Sequence, residues 1–236
     1  EAGQPLNKTG GLMINRKPVV AGRFYQDSPV ALADEVKRLL AKGTREKAAA
    51  IIAPHAGYMY SGAVAGLIYS SVEIPDTVVI IGPNHTGLGK RVALMTGGAW
   101  ETPLGTVKVD SVFAEALLAS SRLFTADTEA HESEHSIEVQ LPFIQSINHS
   151  ASIVPLTIMN ASAKECAELG KAIADTIKKH RQDVLIVASS DMNHYESDAV
   201  TRGKDTEAIA EVLKLDADGL LRITSEKEIT MCGAIP

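Results

Sequence analysis

Four short runs of consecutive apolar residues mark the chain, at 48–53, 77–81, 152–158 and 184–188. Their short length and their content of Val and Ile are typical of strands rather than helices. Because the runs are continuous and do not alternate with polar residues, they predict a parallel sheet that is covered on both faces. Pro155 lies inside the third run and cannot donate a backbone hydrogen bond, which indicates an irregular strand or a strand at the sheet edge.

Helical patterns separate these runs. Residues 28–29 are Ser-Pro, a capping residue followed by a proline at a position where its missing N–H does no harm. A second helix carries Val64, Leu67 and Ile68 on one apolar face. Residues 162–165, Ser-Ala-Lys-Glu, form a capping-box signature ahead of a further apolar stripe.

The order of these elements predicts the fold class. Two strand–helix–strand units repeat at about 30 residues, the usual size of a right-handed crossover. We therefore expect an α/β fold, a three-layer α/β/α sandwich with a mostly parallel central sheet. Residues 92–95 and 106–109 flank a connection that contains Gly and Pro, which indicates a hairpin or an added edge. We expect one domain over 13–236 and interpret 1–12, which are polar and without pattern, as a loose tail or an expression-tag remnant.

Composition and charge narrow the function classes. The net charge of -6 gives no basic surface, so nucleic acid is not an expected partner. No apolar run approaches the roughly 20 residues of a membrane-spanning helix, so no membrane association is expected. The two cysteines suggest no disulfide framework, and no secretory signal pattern is present. Together these features favour a cytoplasmic protein.

Histidines follow two of the predicted strands at the point where each strand ends. His55 lies in Pro54-His55-Ala56-Gly57 and His85 in Gly82-Pro83-Asn84-His85. In open α/β sheets ligands bind beyond the carboxyl ends of the strands, and imidazole is a common ligand of iron, copper and zinc. Each histidine alone could simply hydrogen-bond a loop backbone, but a third strand end with His194 favours a metal site or a catalytic site.

Asp191 and His194 follow the last predicted strand in Ser189-Ser190-Asp191-Met192-Asn193-His194. A carboxylate and an imidazole at a strand end could work as an acid/base pair. Asp191 could equally be a helix N-cap, and the sequence does not decide between the two.

The remaining candidates are weaker when they are taken singly. His131 and His135 lie four residues apart before an amphipathic run; we interpret His131 as part of a solvated helix start, whereas His135 could point into a pocket. Cys232, as a thiolate, would be a soft ligand for zinc, iron or copper. Cys166 lies on an apolar helical stripe and is interpreted as a small buried hydrophobe.

Seven ordered motifs resemble the Memo family, whose bacterial and archaeal members are also called AmmeMemoRadiSam system protein B. They run through nearly the whole chain: Ala21-Gly22-Arg23-Phe24-Tyr25, Pro54-His55-Ala56-Gly57-Tyr58-Met59-Tyr60-Ser61-Gly62, Gly82-Pro83-Asn84-His85, Trp100-Glu101-Thr102-Pro103-Leu104-Gly105, Glu134-His135-Ser136, Ser189-Ser190-Asp191-Met192-Asn193-His194-Tyr195 and Met231-Cys232-Gly233. Members of that family continue with a helix and a further strand beyond the position of Pro236.

The resemblance implies a fold similar to class III extradiol dioxygenases, which hold iron(II) with two histidines and one carboxylate. In Memo proteins a cysteine takes the carboxylate position. By that resemblance His55, His85 and Cys232 are metal ligands, and Asp191, His194 and His135 line the same pocket as catalytic groups.

Two functions follow from these observations, and they belong to different classes. The first is a metal-dependent redox protein with iron(II) as the favoured ion and copper or zinc as alternatives, or a zinc hydrolase with the same ligands. The second is a non-catalytic protein that binds a small molecule or a peptide in the inherited pocket. The family name also implies a functional link to a radical-SAM protein.

Overall fold

The computed structural model describes residues 15–236. The interpretation of residues 1–12 as a tail lies outside this range. Nine strands are found within it: β1 Asn15–Arg16, β2 Ala50–Ala53, β3 Thr77–Pro83, β4 Val92–Leu94, β5 Ala99–Thr102, β6 Gly105–Lys108, β7 Thr125–Ala126, β8 Ser152–Ile158 and β9 Val184–Ser189. The helices of the same range are α1 Pro29–Leu39, α2 Tyr58–Ser71, α3 Ser111–Leu118, α4 Glu129–Glu132, α5 Leu141–Ile147, α6 Ala163–His180, α7 Asp198–Leu213 and α8 Ala217–Glu226.

The central sheet confirms the predicted α/β sandwich. Its strand order is β2-β9-β3-β8-β4-β7, and the first four strands run parallel to one another. Helices α1, α2 and α5 pack together, while α3 contacts α6 and α6 contacts α8. Every residue of β3 is buried, as expected for a strand covered on both faces.

The order of the strands positions the candidate site. β9 lies between β2 and β3, so the carboxyl ends of these three strands are neighbours although they come from distant parts of the chain. His55 follows β2, His85 follows β3 and Asp191 follows β9 within two residues of each strand end. The site is therefore formed at one edge of the sheet.

The expectation of an irregular or edge strand around Pro155 is wrong. β8 pairs with β3 on one side and with β4 on the other, so it is an interior strand. The β4 pairing ends at Leu94 opposite Leu156, and the carbonyl of Pro155 accepts from Met95 N just beyond it. The N–H and C=O of one strand residue point to the same side, so the N–H that Pro155 lacks would face the end of β4. The β4 ladder has already ended there, and the sheet can therefore accommodate the proline in an interior strand.

The apolar face assigned to α2 is also wrong. Val64 and Leu67 are exposed, whereas Gly62, Gly66 and Tyr69 are buried. A Cβ atom at Gly66 would lie 2.2 Å from the backbone oxygen of Leu39, so the small residue lets α2 approach the end of α1. Close backbone packing through glycine has replaced the usual aliphatic stripe.

The region 92–109, for which a hairpin or an added edge was expected, contributes strands to two different sheets. β4 joins the central sheet antiparallel to β8, and the hairpin is made by β5 and β6. β5 also pairs with β1, which completes a separate three-stranded sheet. The capping box at 162–165 is confirmed at the start of α6. No helix within residues 15–236 is long and apolar enough to cross a membrane.

Candidate metal centre

Two groups of potential metal ligands meet at the carboxyl edge of β2, β9 and β3. His55, His85 and His135 form one group, and His55, Asp191 and Cys232 form the other. Within each group the potential ligand atoms all lie within 4.8 Å of one another. The predicted ligand set draws on both, since His55 is common to the two groups while His85 belongs to the first and Cys232 to the second.

His55 is the centre of the cluster. Its side chain is almost completely buried, and its ring centroid lies 5.1 Å from that of His85 and 5.5 Å from that of His135. Its Nε2 atom is 3.1 Å from Cys232 Sγ. Its Nδ1 atom faces away from the cluster and lies 2.8 Å from Ser189 Oγ.

His85 is held by Glu134, a residue to which the sequence reasoning gave no role. Both the backbone N–H and the ring Nδ1 of His85 contact the Glu134 carboxylate, at 2.6 and 2.9 Å. The carboxylate is fully buried, and hydrogen bonds from His85 and Ser136 outweigh this burial and lower the pKa of Glu134 to about 2. Hydrogen bonding to Cys232 and Glu134 raises the pKa of His85 to about 10. A negative charge is therefore fixed behind the ring.

His135 points into the pocket, as the sequence suggested, and it packs between two rings. Its ring stacks on His85 at 4.7 Å between centroids and meets the edge of Phe24 at 4.9 Å. Burial lowers the pKa of His135 to about 4, so the ring is neutral at pH 7 and its unprotonated nitrogen is available as a ligand.

The prediction that His131 lies in a solvated helix start is wrong. Its side chain is fully buried against Trp100, and neither ring nitrogen has a hydrogen-bond partner among residues 15–236. Helix α4 ends at Glu132, so His131 and His135 do not share a helix face. The spacing of four residues misled because the helix is a single short turn.

Asp191 both stabilises a loop and lines the pocket. Its Oδ1 atom accepts hydrogen bonds from the backbone N–H groups of His55 and Ala56, at 2.7 and 3.0 Å. Its Oδ2 atom lies 3.9 Å from His55 Nε2 and 3.6 Å from His194 Nε2. Asp191 therefore does act as a cap, but it caps the backbone N–H groups of the turn before α2 and not those of the helix that follows Asp191.

His194 lies at the margin of the cluster. Its Nδ1 atom is 2.8 Å from the backbone oxygen of Thr230, and its backbone N–H donates to Thr230 Oγ1 at 2.6 Å. Because a carbonyl oxygen only accepts, Nδ1 carries the proton and Nε2 is the atom turned to Asp191. His194 belongs to neither group of ligands, and its Nε2 atom lies 3.6 Å from Asp191 Oδ2, just beyond hydrogen-bond distance.

Cys232 reaches the cluster because the chain returns closely to the end of β9. A Cβ atom at Gly233 would lie 2.3 Å from Ser190 Cβ, and Gly233 N donates to Ser190 Oγ at 3.0 Å. Asp191 N also donates to Cys232 Sγ at 3.3 Å. Burial opposes ionisation of the thiol, but hydrogen bonding with His55 and His85 outweighs it and lowers the pKa of Cys232 to about 6. A thiolate next to imidazoles is a donor set that suits zinc, copper or iron.

The fold and the site define an α/β sandwich with imidazoles and one thiol gathered at the sheet edge. The family model described as Memo-like protein matches residues 16–236. A MEMO1 family protein of Pyrobaculum aerophilum is 42% identical over 94% of this chain and 83% of its own length. Another, of Methanothermobacter thermautotrophicus, is 41% identical over 94% of this chain and 84% of its own length. The chain belongs to the Memo family.

Proposed function

We propose that this protein binds one metal ion through His55, His85 and Cys232, and that iron(II) is the ion it uses, with copper and zinc as alternatives. The observation that supports this most strongly is the 3.1 Å approach of Cys232 Sγ to His55 Nε2, at a strand edge that His85 also reaches. Two imidazoles and a thiolate match the ligand preferences of all three ions.

The surrounding residues support a redox function on a small substrate. A bound iron ion would supply redox chemistry at this position. Asp191 keeps one oxygen on the His55 turn, and its second oxygen faces His55 and His194. His194 can hold or pass a proton at Nε2, because Nδ1 is committed to the Thr230 carbonyl. The nature of the substrate, and the radical-SAM partner that the family name implies, stay predictions.

Metal content tests the centre and separates its two ligand groups. The protein is purified without added metal, loaded anaerobically with iron(II), copper(I) or zinc, and analysed for bound metal together with His55→Ala, His85→Ala, Cys232→Ala and His135→Ala. We expect stoichiometric metal in the wild type, loss in the first three variants and retention in His135→Ala. His149→Ala, at an exposed position outside the cluster, is the control and retains metal.

Other outcomes lead to definite conclusions. Loss in His135→Ala with retention in Cys232→Ala would replace the thiolate set by the three-imidazole set. A wild type that stays empty after loading would favour the non-catalytic binding function. Oxygen uptake by the iron-loaded protein is then measured with catechols; uptake that depends on catechol supports the redox function, and no uptake removes ring cleavage.

A further inference from the structure

We propose that Ser189, held in place by Gln140, is a positioning residue that keeps the proton of His55 on Nδ1, so that Nε2 is the nitrogen that donates an electron pair to a metal. This inference rests on the proposed metal-binding function. Ser189 and Gln140 are fully buried, and His55 is almost so. No bulk water is therefore available to substitute for a missing hydrogen bond.

The orientation of the Gln140 amide follows from its partners. Its Nε2 atom lies 3.0 Å from the backbone oxygen of Pro54 and 3.5 Å from that of Ala53, and both oxygens can only accept. Its Oε1 atom lies 2.9 Å from the hydroxyl of Tyr69. The NH₂ group must therefore face the strand end, where it also donates to Ser189 Oγ at 2.9 Å.

The Ser189 hydroxyl has one proton, and its position follows in the same way. Its Oγ atom lies 2.7 Å from the backbone oxygen of Ser136, which only accepts. If the hydroxyl donated to His55 instead, two oxygens would face each other at 2.7 Å with no proton between them. The hydroxyl therefore donates to Ser136, and one of its two lone pairs accepts from Gln140.

A single lone pair of Ser189 Oγ is left, and His55 Nδ1 lies 2.8 Å from it. This contact is a hydrogen bond only if Nδ1 carries a proton. Nδ1 thus carries a proton, and Nε2, 3.1 Å from Cys232 Sγ, is the ring nitrogen that faces the cluster. Histidine ligands of metals are commonly oriented by such a bond, and its loss typically lowers metal affinity by about 10- to 100-fold.

The contact is tested with ¹⁵N-histidine NMR and zinc titration on wild type, Ser189→Ala and Ser189→Thr. We expect the neutral His55 ring of the metal-free wild type to carry its proton on Nδ1, and the zinc-loaded ring to keep it. Ser189→Ala should lose about 10- to 100-fold in zinc affinity and show a mixture of the two tautomers. Ser189→Thr, which keeps the hydroxyl, should restore both properties.

A matched control separates this role from a loss of stability. Ser70 is also a buried serine that both donates and accepts, to Gly66 O and from Ala41 N, outside the cluster. Ser70→Ala should lower stability and leave zinc affinity and the His55 tautomer unchanged. Gln140→Met removes the donor to Ser189 together with the hydrogen bonds of Gln140 to Pro54 O and from Tyr69, but it leaves the Ser189 hydroxyl in place. It should therefore give a smaller loss of affinity than Ser189→Ala.

The results distinguish this inference from the proposed function. If the wild type does not bind zinc, zinc is removed from the proposed ions, yet the metal-free spectrum still reports the tautomer: a proton on Nδ1 supports the inference, and a proton on Nε2 overturns it. If the wild type binds zinc and Ser189→Ala binds it equally well with an unchanged spectrum, the inference is wrong while the metal site stands.

Discussion

Two buried carboxylates four residues apart in the chain, Glu134 and Glu138, belong to different kinds of polar cluster. Glu138 accepts from the backbone N–H groups of Val19 and Val20, from the Tyr25 hydroxyl and from the Arg16 guanidinium. Glu134 holds His85, whose ring reaches into the metal-type cluster. Both carboxylates are fully buried. The surroundings of the two residues therefore differ in which polar atoms the protein's own hydrogen bonds leave unused.

Around Glu138 the protein satisfies its own polar atoms. Both carboxylate oxygens have several donors, Arg16 also donates to the backbone oxygens of His131 and Glu134, and its guanidinium lies 4.3 Å from the centre of the Trp100 ring. Burial and the neighbouring carboxylate raise the pKa of Tyr25, so its hydroxyl stays a donor. A cluster that is complete in itself is structural.

Around the candidate centre each side chain has one atom fixed by the protein and a second atom turned to its neighbours. This holds for His55 with Nδ1 and Nε2, for Asp191 with Oδ1 and Oδ2, and for His194 with Nδ1 and Nε2. The comparison teaches that a ligand site differs from a structural cluster in its unused, converging acceptor atoms, not in its burial or its charge.

The largest expected effect is a loss of stability when the Glu138–Arg16 cluster is broken. Glu138→Ala leaves the buried Arg16 guanidinium without its carboxylate, and we expect a loss of about 3–5 kcal/mol in the free energy of unfolding. Urea denaturation measures it. Glu226→Ala, at an exposed ion pair, should change stability by less than about 0.5 kcal/mol. A loss under about 1 kcal/mol in Glu138→Ala would contradict the structural role.

Metal binding at the cluster of His55, His85 and Cys232 should stabilise the folded protein by a smaller amount. At a free metal concentration of 100 times Kd, binding to the native state alone adds about 2.7 kcal/mol to the free energy of unfolding. We expect this gain in the wild type and its loss in Cys232→Ala, measured by urea denaturation with and without metal. The same gain in both proteins would remove Cys232 from the ligand set.

His131, whose backbone oxygen accepts from Arg16 and whose ring lies against Trp100, provides a pH test. Burial lowers its pKa to about 4, below the value of about 6.5 in an unfolded chain. The unfolded state therefore binds more protons between pH 6.5 and 4, and stability falls as the pH drops through this range, by about 2 kcal/mol at pH 5. His131→Leu should lose less stability than the wild type between pH 7.5 and pH 5; an unchanged acid dependence would show that the ring is not buried as a neutral group.

The two cysteines give the smallest effect and the cleanest internal control, because both are partly buried. The pKa of Cys232 is lowered to about 6, whereas burial raises the pKa of Cys166 above its ordinary value. At pH 7 Cys232 should be mostly thiolate; its lower intrinsic nucleophilicity offsets part of the gain and leaves a rate of iodoacetamide alkylation about tenfold above that of Cys166. Mass spectrometry of the metal-free protein from pH 5 to 9 measures both rates. A Cys232 rate that rises steeply only near pH 9 would contradict the prediction.

Much of the centre could be predicted because its residues follow recognisable strand ends. The turns that carry His55 and His85 each contain a proline after an apolar run, and the open-sheet rule indicates where such turns lie. Ser189, Gln140 and Glu134 received no role, because their function depends on partners that lie far away in sequence. The one signal for Glu134 in the sequence is its place next to His135 in the motif Glu134-His135-Ser136.

The amino-acid sequence by itself determined the local structure: strands from continuous apolar runs, the capping box of α6 and the histidines in their turns. Only the tertiary structure decided that β9 lies between β2 and β3, that Cys232 returns to the same edge, and that α2 turns its glycines inwards. Local patterns reflect the preferences of neighbouring residues, whereas strand order and helix faces depend on which distant surfaces bury each other and which distant donors and acceptors pair.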